Sequence, residues 1–472
     1  MKINKKKDRL ALSYFILPTI FIAFFFNFYY GFLGINLIDS FQTFDSGYRV
    51  LQGDIPYKDY IVRDGAVIDI MQAAFFKLFG VNWSAFVVHS SVINSMYAIS
   101  ILFFAKDYGV NNKECFLYAI TASLLLYPPA GTPQIDHHAF ALSFICLSFF
   151  LYIQKNKKFY FLIIIPTLFG LILFIKPVPT IYFILIVLFF TLYHFRANKK
   201  IFYYLVIGTI IYFLLFFIIL KIFDIKLLSI YNQIFTLTLG TGLQRFTLSN
   251  LQSLILSTLK IKYILLLTIP FFVSILHFKK KIKIIKQDII LTIFLFIAVI
   301  LHESYTWNQA VTVAILPVLA LLIRKIIKIK DLENNKLLKI IFYLLISIVS
   351  IRLIKIEFLY GLIPLGIFLL FKFIIKKISV SQLILTFTLI LTFFYYNKLI
   401  ISRYWLDIYN PDWSKSYNAE TIDVKLKNLV WLSNNQDSKK EINTIKNNLE
   451  FLNSIDENFI IITHLQIYNI LL

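Results

Sequence analysis

Long apolar runs, separated by short polar stretches that are mostly basic, dominate this chain. As helices, runs of about 17 to 23 apolar residues suffice to cross roughly 30 Å of hydrocarbon. They predict spans near 10–31, 84–105, 115–130, 138–153, 159–175, 177–193, 201–222, 259–276, 288–302, 309–323, 337–351, 354–374 and 381–400. The fold expected is an all-α integral membrane protein with about 13 transmembrane helices. Residues 1–400 make up the polytopic domain. The start, MKINKKKDRL followed by an apolar run to about Tyr30, has the charge pattern of a signal sequence. The run is too long for a cleaved segment and lacks a small-residue cleavage site, so it reads as an uncleaved first span.

The polar stretches set the orientation. With the N terminus inside, KINKKKDR, KDYGVNNK, QKNKK, FRANKK, FKKKIKIIK, RKIIKIKDLENNKLLK and KFIIKK all face the cytoplasm. These stretches hold most of the Lys and Arg, as the positive-inside rule requires. Three long or polar segments then lie outside: 32–69, 223–258 and the tail 401–472. Within the first external loop, 32–83, GAVIDIMQAAFFKLFGVNW is apolar but short, and Asp69 and Lys77 interrupt it. It predicts an amphipathic helix lying on the membrane rather than crossing it. In the tail, KKEINTIKNNLEFLNSI has helical spacing and FIIIT reads as a buried strand, which gives a small α/β external lobe.

Composition narrows the function. A chain that is 59% hydrophobic and 15% charged cannot be a soluble domain. The net charge of +22 follows the inside loops, so a nucleic-acid partner is not implied. Cys115 and Cys146 sit in or beside apolar segments and suggest neither a disulfide nor a metal site. No Walker A loop, dinucleotide glycine fingerprint, HExxH or GxSxG is present, which disfavours an ATP-driven pump and a hydrolase.

The acidic first loop is the outlier. Residues 34–70, GINLIDSFQTFDSGYRVLQGDIPYKDYIVRDGAVIDI, carry Asp39, Asp45, Asp54, Asp59 and Asp64. Asp45 precedes a short predicted helix, SGYRVLQ, ended by Gly53 and a turn at Pro56. A carboxylate held there can act as general base on an acceptor hydroxyl or help ligate a divalent cation. Solvated loop charges and helix caps are the alternative reading for each aspartate.

The Asp-x-Gly-Tyr pattern, the Gly-Asp-Ile-Pro-Tyr-Lys-Asp-Tyr stretch, the Arg-Asp-Gly run and the amphipathic helix ending Leu-Phe-Gly carry a family likeness. Together they resemble the first periplasmic loop of bacterial membrane glycosyltransferases of the C-type (GT-C) fold, relatives of the protein mannosyltransferase and aminoarabinose transferase group. The resemblance implies transfer of a sugar from a polyprenyl-phosphate donor to a cell-envelope glycan, lipid or protein on the outer face of the plasma membrane. It implies a catalytic role for Asp45. The family often has two adjacent acids there; here the neighbour is Ser46, which leaves Asp45 acting alone or with Asp39 or Asp64.

A lipid-phosphate donor needs cations near the interface. The external candidates are Arg63, Lys176, Arg245, Arg352 and Lys355, with Lys176 in KPVPT and Arg245 in TLGTGLQRF foremost. For each the alternative is snorkelling to lipid headgroups. In QIDHH, Asp136, His137 and His138 are candidates for a wall of the sugar cavity. Adjacent histidines on a helix point about 100° apart and rarely share one ion. In HESYTWNQ, His302, Glu303, Tyr305 and Trp307 can bind and stack on a sugar, or form an interfacial aromatic belt. Two other functions remain open: a transporter or flippase of a lipid-linked glycan, which needs charges mid-span, and a glycan polymerase or ligase, which needs a large later external loop.

Overall fold

A computed structural model describes residues 5–34, 37–62, 65–107, 112–127, 131–195, 198–234, 413–432 and 437–455. These residues are mostly helical. The helices are α1 (Lys5–Gly31), α2 (Leu37–Gln52), α3 (Ala66–Phe79), α4 (Trp83–Asp107), α5 (Asn112–Leu126), α6 (Ile135–Asn156), α7 (Ile164–Leu173), α8 (Pro177–His194), α9 (Lys199–Ile222), α10 (Leu227–Asn232) and α11 (Ser438–Asn453). The expected spans from 10 to 222 coincide with α1 and α4–α9. The expected spans from 259 to 400, and the FIIIT strand, lie outside the described residues.

Among the described residues, four stretches are long and apolar enough to cross a membrane: Leu12–Gly31, Trp83–Phe104, His137–Asn156 and Lys199–Ile222. The segment expected at 159–175 begins as a 3₁₀ turn, Phe159–Ile163, before α7, and forms a shorter apolar helix. Its turn follows Lys157, which closes α6 in the left-handed conformation. Proline opens α8 at its first position, where the missing N–H breaks no helical bond.

Small and polar residues bring α1, α4 and the start of α6 together. Asn27 Nδ2 donates to Ser90 and Ser91 Oγ at 2.9 and 3.0 Å, and Asn94 Nδ2 donates to the Ala23 carbonyl at 2.9 Å. Gly31 lies so close to Val87 and Gly131 that a Cβ would meet the Gly131 oxygen at 2.7 Å. Close packing of this kind, with interhelical hydrogen bonds, is what joins helices where burial of apolar surface gives no advantage over lipid. The main apolar core, including Leu102, Phe140, Phe144, Phe169 and Phe183, runs through α4, α6, α7 and α8.

Consecutive helices reverse at short connections, so the ends at Gly31, Trp83, Leu126, Ile135, Leu173, Pro177 and Ile222 gather at one end of the bundle. Trp83 Nε1 donates to the Gly31 carbonyl at 3.0 Å, pinning α4 to α1 there. The intervening segment folds as α2 and α3 packed on each other. The predicted SGYRVLQ helix is therefore only the second half of α2, which begins at Leu37 and stops at Gly53, φ +107°.

Chain far downstream returns to this end. Val430 pairs with the residues after α1: its N–H donates to the Phe32 carbonyl and its carbonyl accepts from Gly34, both at 2.8 Å. The strands Tyr417–Asn418 (β1) and Val430–Trp431 (β2) pair antiparallel. Trp431, Leu426, Ile442, Ile445 and Leu449 join one apolar cluster with Phe41, Phe44, Phe76 and Trp83. The amphipathic α11 covers most of the segment expected to be helical, and the side chain of Asp437, just before it, caps the Lys440 N–H at 3.1 Å.

Candidate functional site

α2 turns Phe41 and Phe44 into that apolar cluster, and the same burial takes in Asp45, which is 5% exposed. One turn on, Arg49 places Nε 3.3 Å from Asp45 Oδ2, and its NH1 lies 3.9 Å from Asp54 Oδ2. Burial raises the proton affinity of the Asp45 carboxyl above its ordinary value, while the Arg49 charge and hydrogen bond act against that rise. The result is a carboxylate that is a stronger base than a solvated one and still has a cation to hold it ionised.

The connection from Gly53 to Val62 is anchored by the corner beyond α9. Ser229 Oγ donates to the Tyr57 carbonyl at 2.7 Å, Gln233 Oε1 accepts from the Val62 N–H at 2.9 Å, and Lys58 Nζ reaches the Phe223 carbonyl at 3.2 Å. Lys58 also faces Asp224 at 3.7 Å. So held, the connection sets Tyr60 beneath Arg49, whose guanidinium carbon lies 5.9 Å from the ring centroid. Tyr60 Oη donates to Asp69 Oδ2 at 2.8 Å. Burial, then the neighbouring Asp69 charge, push the Tyr60 hydroxyl far above its ordinary range, so it remains a donor.

Asp69, 1% exposed on α3, thus joins Asp45 in one polar group with Arg49, Asp54 and Tyr60. Gly47 allows the close approach of α2 to α3: a Cβ there would meet Gln72 Cγ at 2.5 Å. Gln72 continues into a second polar chain. Its Oε1 lies 2.8 Å from His89 Nδ1, His89 Nε2 lies 3.0 Å from His138 Nε2, and His138 Nδ1 bonds the Tyr127 hydroxyl. α3, α4, α6 and the end of α5 are linked through these four side chains.

The candidates from the sequence fall out unevenly. Asp39 lies on α2 and Asp136 at the start of α6. His137 and His138 are both buried in the bundle, His138 as a link in the chain just described. Lys176 caps the start of α8, and its carbonyl accepts from Thr180 Oγ1 at 2.8 Å. Gly65, at φ +121°, presses on the Phe174 and Ile175 carbonyls, which brings the first turn of α3 next to the backbone just before Lys176. Arg63, Asp64, Arg245, His302, Glu303, Tyr305, Trp307, Arg352 and Lys355 lie outside the described residues. Among the described residues, no three or more His, Cys, Asp or Glu side chains are grouped so as to hold a metal ion.

Arg49, Tyr60, Asp69 and His89 were not singled out as site residues from sequence. The spacing of Asp45 and Arg49, i and i+4 with opposite charge, is a readable helical pair. An aspartate inside the apolar run of α3 was the other readable signal. No protein-family model matches the sequence, and no curated protein matches it.

Proposed function

We propose that the chain is an inverting membrane glycosyltransferase. It transfers a sugar from a polyprenyl-phosphate donor to a cell-envelope glycan, lipid or protein, on the non-cytoplasmic face of the plasma membrane. The observation that carries this reading is buried Asp45 paired with the half-exposed Arg49, held where the ends of the apolar helices converge. A base of raised proton affinity, sheltered from water at the mouth of a lipid-embedded bundle, suits a reaction between a lipid-borne donor and a hydroxyl acceptor. The opposite end of the bundle carries Lys106, Lys113, Lys155, Lys157, Lys158, Lys199 and Lys200, which supports a cytoplasmic position for that end.

In the proposed step, Asp45 takes the proton of the acceptor hydroxyl as its oxygen attacks the anomeric carbon. The bond from that carbon to the phosphate oxygen breaks on the opposite side, and polyprenyl phosphate leaves with the extra charge. Lys176, with Arg63 and Arg245, is assigned to stabilise that charge. Asp39 and Asp64 are assigned to the same acidic loop as auxiliary carboxylates, and Asp136, His137 and the HESYTW corner to the cavity.

The test is sugar transfer in proteoliposomes loaded with polyprenyl-phosphate sugars. Asp45→Asn is expected to lower the rate by about 10² to 10⁴, the usual worth of a general base. Full activity in that variant would overturn the assignment. Transbilayer movement of a lipid-linked glycan without transfer by the wild type would favour a flippase.

A further inference from the structure

Asp69 lies on α3 and Asp45 on α2. The two are connected by short links. Asp69 Oδ2 accepts from Tyr60 Oη at 2.8 Å, the Tyr60 ring lies under the Arg49 guanidinium at 5.9 Å, and Arg49 Nε meets Asp45 Oδ2 at 3.3 Å. Arg49 itself is 41% exposed on its side chain. An arginine so exposed has many rotamers open to it, and a cation–π floor reduces that freedom only if the ring is itself fixed. The Tyr60 ring is fixed at its far end by Asp69, whose burial in α3 leaves it little room to move.

We propose that Asp69 is a positioning residue for Asp45, acting through Tyr60 and Arg49. Its catalytic meaning rests on the transferase reading; the positioning itself does not. Around Asp45 stand Arg49 and Asp54 from α2 and its end, Tyr60 from the connection, and Asp69 from α3. Of the other elements packed nearby, α4 carries His89, engaged with Gln72, and the downstream lobe carries Glu441, engaged with Trp431 Nε1 at 2.9 Å; Lys77 of α3 is exposed.

Two mechanisms give opposite signs. If Asp69 acted on Asp45 directly as a nearby negative charge, Asp69→Asn would make Asp45 easier to ionise. If Asp69 acts by holding Arg49 in place, the same change loosens the cation, and Asp45 keeps its proton to higher pH.

A hydrophobic carbodiimide, which labels protonated carboxyl groups, reads this in the full-length protein in proteoliposomes. Labelling of the Asp45 peptide is followed by mass spectrometry against pH. Arg49→Gln is expected to move the labelling midpoint upward. Asp69→Asn and Tyr60→Phe are expected to move it the same way by less, and to add nothing in the Arg49→Gln background. A downward shift, no shift, or an equal shift with and without Arg49 would overturn the proposal. Tyr60→Phe keeps the ring and deletes only the anchoring hydroxyl, so it decides the matter if Asp69→Asn fails to fold. Because labelling needs no turnover, its result stands apart from the fate of the transferase reading. Where transfer is measured, kcat falls about 10- to 100-fold with KM little changed, as for a displaced catalytic group.

Discussion

The ring of Trp431 lies 6.4 Å from that of Phe41, one helical turn before Asp45. Trp431 is fully buried, and its indole N–H is bonded to Glu441 on α11. The downstream lobe therefore braces the back of the helix whose front carries the candidate base.

Removing that brace has a predictable cost. Trp431→Ala should destabilise the protein by about 3–5 kcal/mol, the range for deleting a buried large aromatic. Thermal unfolding in detergent measures the loss, and limited proteolysis should reveal earlier cleavage within residues 37–52 than in the wild type. An unchanged cleavage pattern would mean that α2 stands without the lobe.

The Asp45 carboxyl holds its proton more tightly than an exposed aspartate, because burial outweighs the pull of Arg49. The folded state therefore binds more protons than the unfolded one between the ordinary value of 3.8 and the raised one. In that window Asp45 destabilises the fold increasingly as pH rises, and the penalty is complete above it. In the proposed transfer step the active form is the deprotonated one. Transfer should then fall as pH drops through the raised value, giving an acid limb above the ordinary carboxylate range, measured from kcat/KM against pH. A limb at the ordinary value would mean that the base is a solvated acid elsewhere.

Gly53 and Gly65 both adopt positive φ, at +107° and +121°, but they differ in surroundings. A Cβ at Gly53 meets nothing within 4 Å, whereas one at Gly65 would lie 2.4 Å from the Phe174 carbonyl oxygen. Gly53→Ala should cost about 1–3 kcal/mol from backbone strain alone. Gly65→Ala should cost more, since the α7–α8 turn beside Lys176 must also move. Equal melting temperatures for the two variants would contradict the close approach.

The histidine chain predicts a different kind of loss. Tyr127→Phe removes the hydroxyl bonded to His138 Nδ1 and leaves a buried ring nitrogen with only the Gln134 carbonyl nearby, at 3.3 Å. Two acceptors cannot satisfy each other, so the nitrogen is satisfied only in the tautomer that carries its proton at Nδ1, which leaves Nε2 of His138 to accept from His89. A cost of about 1–3 kcal/mol follows from a disturbed buried polar group, read by denaturant or thermal unfolding. A variant as stable as the wild type would show that the chain tolerates either polarity.

Helix positions were legible because hydropathy reports burial in lipid or protein directly: α1, α4 and α9 begin and end within a few residues of the apolar runs. The α3 helix was legible too, because Gly65 and Gly80 bracket an amphipathic run. Its placement against α2 was not, since that depends on Gly47 meeting Gln72 across a connection whose course is set by Ser229 and Gln233. Asp45 stood out by motif, but its burial did not, because the residues covering α2 come from 419–449. Asp69 read as an interruption of an apolar run; its bond to the Tyr60 hydroxyl, nine residues earlier, is a contact that no sequence pattern announces.

The bridge between Leu33 and Val430 joins residues separated by almost four hundred positions. At about 5–20 residues per second, synthesis reaches Val430 tens of seconds after Leu33 has emerged. Until then the apolar back of α2, with Phe41 and Phe44, has no lobe to cover it. Completion of the candidate site is thereby coupled to synthesis of residues 419–449, and a ribosome that stops before them leaves a bundle whose acid-bearing helix is unsupported.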